Sequence, residues 1–337
     1  MPELLAVPDA RRAAISLLAT HLRAGQKVAL STHLNADGDG CGSECALARL
    51  LTAMGVDVRI VNPTPWPAAF TFLLGDDVKD ASAQGAAALK GIDALIVLDI
   101  NEVGRLGQLA EAVRGLKVPR LVIDHHVAQS EPAGAVVVAD TTACATGELI
   151  YDVATVLGLA ITPAIAEALY VALLTDTGGF RFSNTSPRCH TIAGQLLAAG
   201  VNPEQIYRRV YASVPAGRVR LLREALESLG VDEQRGLSWL TLPAGALERH
   251  GVSSEDLDGI VEHARSIAGT RLALLFRDLG HGKVKISFRS TDVDSNAFAR
   301  QYGGGGHVRA AGALVTGSLD TVRDKVLADA RALLASG

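Results

Sequence analysis

Aromatic residues are scarce in this chain, at 4% of 337 positions, while hydrophobic residues make up 48%. The core must therefore be built from Ala, Val, Leu and Ile, the usual filling of a sheet buried between helices. Cysteine is sparse too. Cys41, Cys45, Cys144 and Cys189 contain no CxxC pair and are too few to frame a chain of this length with disulfides, which fits a reducing compartment. No run of about 18 uncharged apolar residues occurs, and the N-terminal MPELLAVPDARRAAISLL has no basic segment ahead of an apolar stretch. The expectation is a soluble, cytoplasmic protein with no membrane partner. A basic excess is also missing. A formal net charge of -4 excludes a protein that coats long nucleic acids, because such affinity comes from many phosphate contacts. A small anionic substrate remains open.

What is present is an alternation of strand and helix patterns. KVALST starts at Lys27, the polar, glycine-containing HLNADGDGCGS comes next as a loop, and Glu44 to Met54 reads as a helix. Further strands are VDVRIVN, DALIVLDI at 93–100, PRLVIDHH at 119–126 and AGAVVVAD at 133–140. Such alternation predicts a mostly parallel sheet covered by helices, with the ligand site off the carboxyl ends of its strands. After Thr146 the pattern turns helical through GELIYDVATVL and AIAEALYVALLTD, the second run ending at Asp176. Beyond Gly236, strand patterns return in GLSWLTL, TRLALLFRD and KVKISFRS, so the whole is an α/β protein with a second, smaller α/β domain. A length of 337 residues also favours two domains. The boundaries predicted are 1–186 for a catalytic domain, 187–229 for a helical linker and 230–337 for a substrate-binding domain, with an active-site cleft between the two domains.

Three predicted strands end in acids or histidines. Thr32 runs into His33, Leu98 into Asp99, and Ile123 into Asp124, His125 and His126, while Asp37 and Asp39 share the first loop with His33. In a parallel sheet these side chains converge. Four carboxylates, Asp37, Asp39, Asp99 and Asp176, would then repel, at a cost of roughly 4 kcal/mol per pair at about 4 Å and an effective dielectric near 20. Two divalent cations would balance them. Mixed carboxylate and imidazole ligation suits Mn²⁺ first, with Mg²⁺, Co²⁺ or Zn²⁺ as alternatives.

Read singly, each piece has a plainer explanation: Asp and Asn in a glycine-containing loop make turns and cap helices, and Asp176 could cap the next helix. Taken together, HxxxDxD (His33, Asp37, Asp39), LD (Asp99), DHH (Asp124, His125, His126) and TDTGGF (Asp176) resemble, in order, the four motifs of the DHH phosphoesterase superfamily. GGGGHVRAAG at 303–312 resembles the signature of the DHH-associated C-terminal domain. Within the superfamily the chain looks most similar to the nanoRNase and pAp phosphatase group.

The resemblance implies hydrolysis of oligonucleotides of a few residues, single-stranded RNA or DNA, and of adenosine 3′,5′-bisphosphate (pAp). The alternatives are a linear or cyclic dinucleotide phosphodiesterase and, less favoured, a family II inorganic pyrophosphatase. It implies one metal on His33, Asp37 and Asp99 and a second on Asp39, Asp99, His125 and Asp176. His126 would touch the scissile phosphate, and Asp124 would accept a hydrogen bond from a ligating imidazole. Arg289, Asn296, Gly304, Gly305, Gly306, His307 and Arg309 would clamp substrate, the glycines letting backbone N–H groups approach an anion. A local charge excess agrees, since residues 265–309 carry eight Lys or Arg against three Asp or Glu. The first motif reads NADGDGCGS where relatives often have NPDGDAIGS, and Cys41 beside the site is expected to invite soft metals or oxidation. Assembly is left open between a monomer and the homodimer that the resemblance suggests.

Overall fold

Five short apolar stretches of the N-terminal half form one parallel sheet in the computed structural model of the chain, which describes residues 2–128, 130–257 and 259–335. They are β1 (Lys27–Ser31), β2 (Asp57–Ile60), β3 (Ala94–Leu98), β4 (Arg120–Asp124) and β5 (Val136–Ala139), in the order β2-β1-β3-β4-β5. Alternation divides their side chains between two cores. Val28 and Leu30 pack with Leu47, Leu50 and Leu169, whereas Ala29, Leu95 and Val97 pack with Val103, Leu106 and Leu109. Burial on both faces explains why the three central strands, β1, β3 and β4, read as nearly unbroken apolar runs.

The helix after β1 begins at Gly38 and runs to Ala53, six residues before the expected start at Glu44. Asp37 caps it, its Oδ1 accepting from the backbone N–H of Asp39 at 3.0 Å and of Gly40 at 3.1 Å. Glycine is a poor helix former, yet a Cβ at Gly38 would lie 2.4 Å from the Thr175 side chain and one at Gly42 2.4 Å from the Ala168 carbonyl oxygen. Close packing on the helix Pro163–Asp176 decides the conformation here, and local propensity does not.

A buried charge network closes the other side of this unit. Arg11 donates to Glu148 at 2.9 Å, to Asp152 at 2.5 Å and to Asp140 at 2.7 Å, and Arg188 also pairs with Glu148 and Asp152. Asp152 and Glu148 are almost wholly buried.

The chain divides into the units Met1–Ala212 and Ser213–Gly337. Helices Pro187–Ala198 and Pro203–Tyr211 belong to the first and Ala216–Glu227 to the second. The second unit is a six-stranded sheet in the order β10-β11-β9-β8-β7-β6. Its strands are β6 (Gly230–Asp232), β7 (Leu237–Leu242), β8 (Leu272–Asp278), β9 (Lys283–Ser290), β10 (Gly305–Gly306) and β11 (Ala310–Thr316), and only β7 and β8 run parallel. One face buries Leu274, Phe276, Ile286 and Phe288 against the helix Leu319–Ala335. No helix among the described residues is long and apolar enough to cross a membrane.

Two substitutions test these supports. Arg11→Met leaves buried carboxylates with one cation fewer and should cost about 3–5 kcal/mol in urea unfolding; a loss below about 1 kcal/mol would mean that Arg188 alone neutralises them. Gly42→Ala should cost about 1–3 kcal/mol through overpacking against Ala168.

Candidate metal centre

The end of β1 is tied to the end of β3 and to the segment after β2 by bonds that involve none of the acids. Thr32 Oγ1 donates to the Leu98 carbonyl at 2.8 Å and Thr32 N–H donates to Asn62 Oδ1 at 2.9 Å, so β1 enters the site in a fixed register with β3. His33 is next in the chain. Its Nδ1 lies 2.9 Å from the Leu34 carbonyl, an acceptor, so Nδ1 carries the proton and Nε2 faces Asp99 Oδ2 at 3.3 Å and Asp37 Oδ1 at 3.8 Å. Asp99 sits at φ 62°, a left-handed conformation that Asp tolerates better than most residues. Thr146 Oγ1 donates to its Oδ1 at 3.0 Å.

Asp39, 1% exposed, meets the start of the helix Thr146–Leu157. The backbone N–H groups of Thr146 and Gly147 donate to its two carboxylate oxygens at 2.6 and 2.9 Å, and Ser43 adds a hydroxyl at 3.1 Å. A helix N-terminus, with free N–H groups and the positive end of the dipole, is a natural seat for a carboxylate. His125 Nδ1 is oriented by the Ala143 carbonyl at 3.2 Å. Its Nε2 points to Asp39 Oδ2 at 3.7 Å, Asp99 Oδ1 at 3.6 Å and Asp176 Oδ2 at 3.6 Å. Asp176, at the end of its helix, takes a 3.3 Å hydrogen bond from Asn184 Nδ2.

Repulsion is visible in the titration of these groups. Burial, then the charges of Asp99, Asp176 and Asp37, hold the Asp39 carboxyl well above the usual range. Burial, with repulsion from Asp99 and Asp37 and some relief from His125, lifts Asp176 to about 6. Burial opposes a charge on His33, but hydrogen bonds to Asp37 and Asp99 outweigh it and raise the imidazolium to about 10. Without cations, therefore, the cluster carries protons.

The donors fit cations better than protons. His125 Nε2 is buried with no hydrogen-bond partner, an orphan lone pair aimed among three carboxylates. Within each of the groups His33–Asp37–Asp99 and Asp39–His125–Asp176, one donor atom per residue lies within 4.8 Å of the others. Asp99 joins the groups, its Oδ2 towards His33 and its Oδ1 towards His125, and it also meets the same criterion with His125 and His126. Cys41 takes no part. It is fully buried in the apolar core, and burial pushes its thiol well above the ordinary value, a setting that disfavours the thiolate on which the expected sensitivity to soft metals or oxidation depends.

His126 stands half exposed beside this cluster. Its Nδ1 donates to Asp124 Oδ1 at 2.8 Å, and that bond, against partial burial, raises its pKa. Asp124 is fully buried and thus orients His126, whereas His125 is oriented by a backbone carbonyl. Sequence reasoning missed the supports: Thr32, Ser43, Thr146, Gly147 and Asn184. The residues ATGE at a predicted helix start carry a signal for an anion seat, but nothing marks its occupant as Asp39. Arg105, whose charge opposes protonation of His126, was missed as well and lies in the 3-10 helical segment Val103–Leu109, which follows no motif of the sequence.

In the second unit, Asn296 Oδ1 accepts from Gly306 N–H at 3.1 Å, and His307 N–H donates to the Ala310 carbonyl at 2.7 Å, closing the turn between β10 and β11. The structure thus brings Gly305, Gly306, His307 and Arg309 into one hairpin, with His307 and Arg309 exposed, and Asn296 of the helix Ser295–Arg300 holds it from the side. The glycines have a packing reason. A Cβ at Gly304 would fall 2.1 Å from the Gly312 carbonyl oxygen, and one at Gly306, with φ +150°, 2.6 Å from that of Ala310. Arg289 lies opposite Ala310 on β9 and pairs through Nε with Glu262 at 3.2 Å.

Residues 27–173 match the DHH family, N-terminal domain, and residues 239–336 match the DHHA1 domain. The chain is 32% identical over 302 residues to the bifunctional oligoribonuclease and PAP phosphatase NrnA of Thermus thermophilus, covering 88% of this chain and 87% of that protein. Among solved structures it resembles an exopolyphosphatase-related protein from Bacteroides fragilis, with a TM-score of 0.86, 24% identity and coverage of 96% of this chain and 98% of that one. It also resembles RecJ of Thermus thermophilus in complex with Mn²⁺, with a TM-score of 0.56 and 17% identity, covering 99% of this chain and 56% of that one.

Metal loading should displace protons. His33 must lose the proton that it holds up to about pH 10, and Asp176 the one that it holds up to about pH 6, so affinity should rise with pH across that interval. Calorimetry in buffers of different ionisation enthalpy should show net proton release on Mn²⁺ binding. Asp99→Ala should remove binding at both positions; a variant that still takes up two ions would disprove the shared ligand.

Proposed function

The chain belongs to the DHH family, and from that premise we propose that it hydrolyses phosphate esters of short oligonucleotides, releasing mononucleotides, and converts pAp to AMP. The observation that carries this reading is the pair of donor groups joined through the two oxygens of Asp99. The names of its relatives support the substrate class, since the 32% identical protein is called an oligoribonuclease and PAP phosphatase.

In this reading His33, Asp37 and Asp99 hold one divalent cation and Asp39, Asp99, His125 and Asp176 the other, with Mn²⁺ preferred for the mixed ligand set. When bound, the pair supplies Lewis-acid chemistry, neutralising phosphoryl oxygens and making water a better nucleophile. The rest falls to the protein. Thr146, Gly147 and Asn184 keep the carboxylates aimed inward, so substrate entry need not reorder them. His126, with Nδ1 fixed on Asp124, presents Nε2 as a donor to a phosphoryl or leaving oxygen. Arg289 offers a forked guanidinium to a second phosphate of the substrate, in company with His307 and Arg309 on the neighbouring hairpin. A cytoplasmic setting suits four free, buried cysteines.

Supplied with Mn²⁺, the protein should release phosphate from pAp and mononucleotides from labelled di- to pentanucleotides, and leave pyrophosphate untouched. Turnover confined to cyclic dinucleotides, or to pyrophosphate, would replace this reading with one of its rivals. A second expectation concerns pH. If His126 donates a proton, kcat/KM falls on the alkaline side at a pH above the ordinary histidine value, because Asp124 favours the charged ring. Asp124→Asn removes that support, so the alkaline limb should move to lower pH; an unmoved limb would take His126 out of the acid role.

A further inference from the structure

One buried acid takes no part in the metal chemistry described above. Glu44 lies on the helix Gly38–Ala53, one turn from Cys41 and Leu47 of the apolar core, and is itself wholly buried. Among the described residues no Lys or Arg pairs with it, and burial lifts its carboxyl to about 8, so at neutral pH it is an uncharged acid. Burying such a group costs free energy that leucine at the same position would not, so its hydrogen bond must matter. That bond runs to Asn62. Glu44 Oε2 accepts from Asn62 Nδ2 at 2.8 Å, while Oε1 is buried without a partner.

Asn62 stands where the ladder between β2 and β1 gives out. Val61 N–H still donates to the Leu30 carbonyl at 2.8 Å, but one step further Thr32 N–H bonds to Asn62 Oδ1, at 2.9 Å, in place of the β2 backbone. An amide turned by 180° has nearly the same shape, yet it would set Nδ2–H against Thr32 N–H, donor against donor. The Asn62 backbone does not choose between the two forms, since its N–H is bound by Ser82 Oγ at 2.8 Å in either case. Glu44 chooses, because its Oε2 accepts from Nδ2 alone. Thr32, so held, reaches through Oγ1 to the Leu98 carbonyl at 2.8 Å. Thr32 precedes His33 and Leu98 precedes Asp99, and the two ligand candidates face each other at 3.3 Å. Asp99 has further supports in Ile123 and Thr146, and Asp39, His125 and Asp176 are held by Thr146, Gly147, Ser43, Ala143 and Asn184. His33, whose backbone continues directly from Thr32, is the candidate that the chain from Glu44 places.

We propose that Glu44 and Asn62 are positioning residues for one metal position, that of His33, Asp37 and Asp99, and that the position of Asp39, His125 and Asp176 does not depend on them. The inference rests on the functional reading above and deepens it: the two cations of one centre have separate supports, a buried amide and acid for the first and a helix N-terminus for the second. Removing the first support turns a two-ion centre into a one-ion centre without touching a ligand.

The test titrates Mn²⁺ into the full-length protein, freed of metal by chelation, and reads binding by calorimetry and electron paramagnetic resonance, neither of which depends on turnover. The parent should bind two ions per chain and show the broadened spectrum of a coupled pair. Glu44→Met, similar in volume but without an acceptor, should bind one ion as the parent does and the other about tenfold or more weakly, with the spectrum of an isolated ion until Mn²⁺ is raised. Asn62→Leu should behave alike, and it supplies the reading if Glu44→Met does not fold. Glu44→Gln keeps a carbonyl facing Asn62 and should restore the pair. Two ions bound at parental affinity in both Glu44→Met and Asn62→Leu overturn the proposal. Equal weakening of both ions overturns it too, since the core would merely have loosened, and so does a Glu44→Gln protein as defective as Glu44→Met, which would make charge the contribution. A parent that binds two ions yet hydrolyses neither pAp nor oligonucleotides ends the functional reading, and the same titrations still decide the role of Glu44. A parent that binds no Mn²⁺ overturns both.

Discussion

Four carboxylates at one end of a parallel sheet repel one another strongly once water is removed, and the local structure of the first unit is organised around that repulsion. Asp39 and Asp99 are all but buried, where each close pair costs several kcal/mol without compensation. Part of the answer lies in the backbone. The first N–H groups of the helix Thr146–Leu157 bind Asp39, those at the start of the helix Gly38–Ala53 bind Asp37, and the Thr146 hydroxyl binds Asp99. What the dipoles leave unbalanced must be carried by protons, as on His33 and Asp176, or by cations. A site that loads metal is then also a site that exchanges protons.

That arrangement depends on parts that touch no ligand. Glu148, in the first turn of the helix that receives Asp39, accepts from Cys144 N–H at 3.1 Å and is held by Arg11 and Arg188. The buried ion network therefore fixes the position of the anion seat as well as joining the N-terminal helix to the sheet. Gly147, beside that seat, packs so closely on Ala172 that a Cβ would come within 2.5 Å of it. Ala172 lies one turn before Asp176, so one contact sets the distance between Asp39 and Asp176. Gly42 plays the same part between the helix Gly38–Ala53 and the helix that carries Asp176.

Which of these features could be read from the sequence depends on the range of the interactions involved. The ligand candidates sit directly after apolar runs that can only be buried strands, so His33, Asp99 and His125 were legible from pattern and chemistry together. The helix start at Gly38 was not. Three glycines in five residues argue against helix locally, and only the facing helix, more than a hundred residues away in the chain, reverses that preference. β10 and β11 were hidden for a related reason: Gly and Ala carry little strand propensity, and what makes them strands is the close approach of two backbones. Cys41 looked available beside the motif, but its place on the helix turns it into the core. The partner of Asp124 was likewise a matter of side-chain direction, which spacing does not determine.

Backbone strain is distributed on the same map. Four described residues other than glycine have positive φ, namely Asn35, Asp99, Phe180 and His281. Asn35 lies two residues before Asp37, Asp99 is itself a ligand candidate, and Phe180 lies four residues after Asp176. Such conformations cost about 1–3 kcal/mol each and persist only where the surroundings over-determine them. At Asp99 the surroundings do: its N–H donates to the Ile123 carbonyl at 3.0 Å while its Oδ1 accepts from Thr146. The strands, the helix starts and the ion network thus hold these carboxylates through hydrogen bonds and ion pairs of the protein itself.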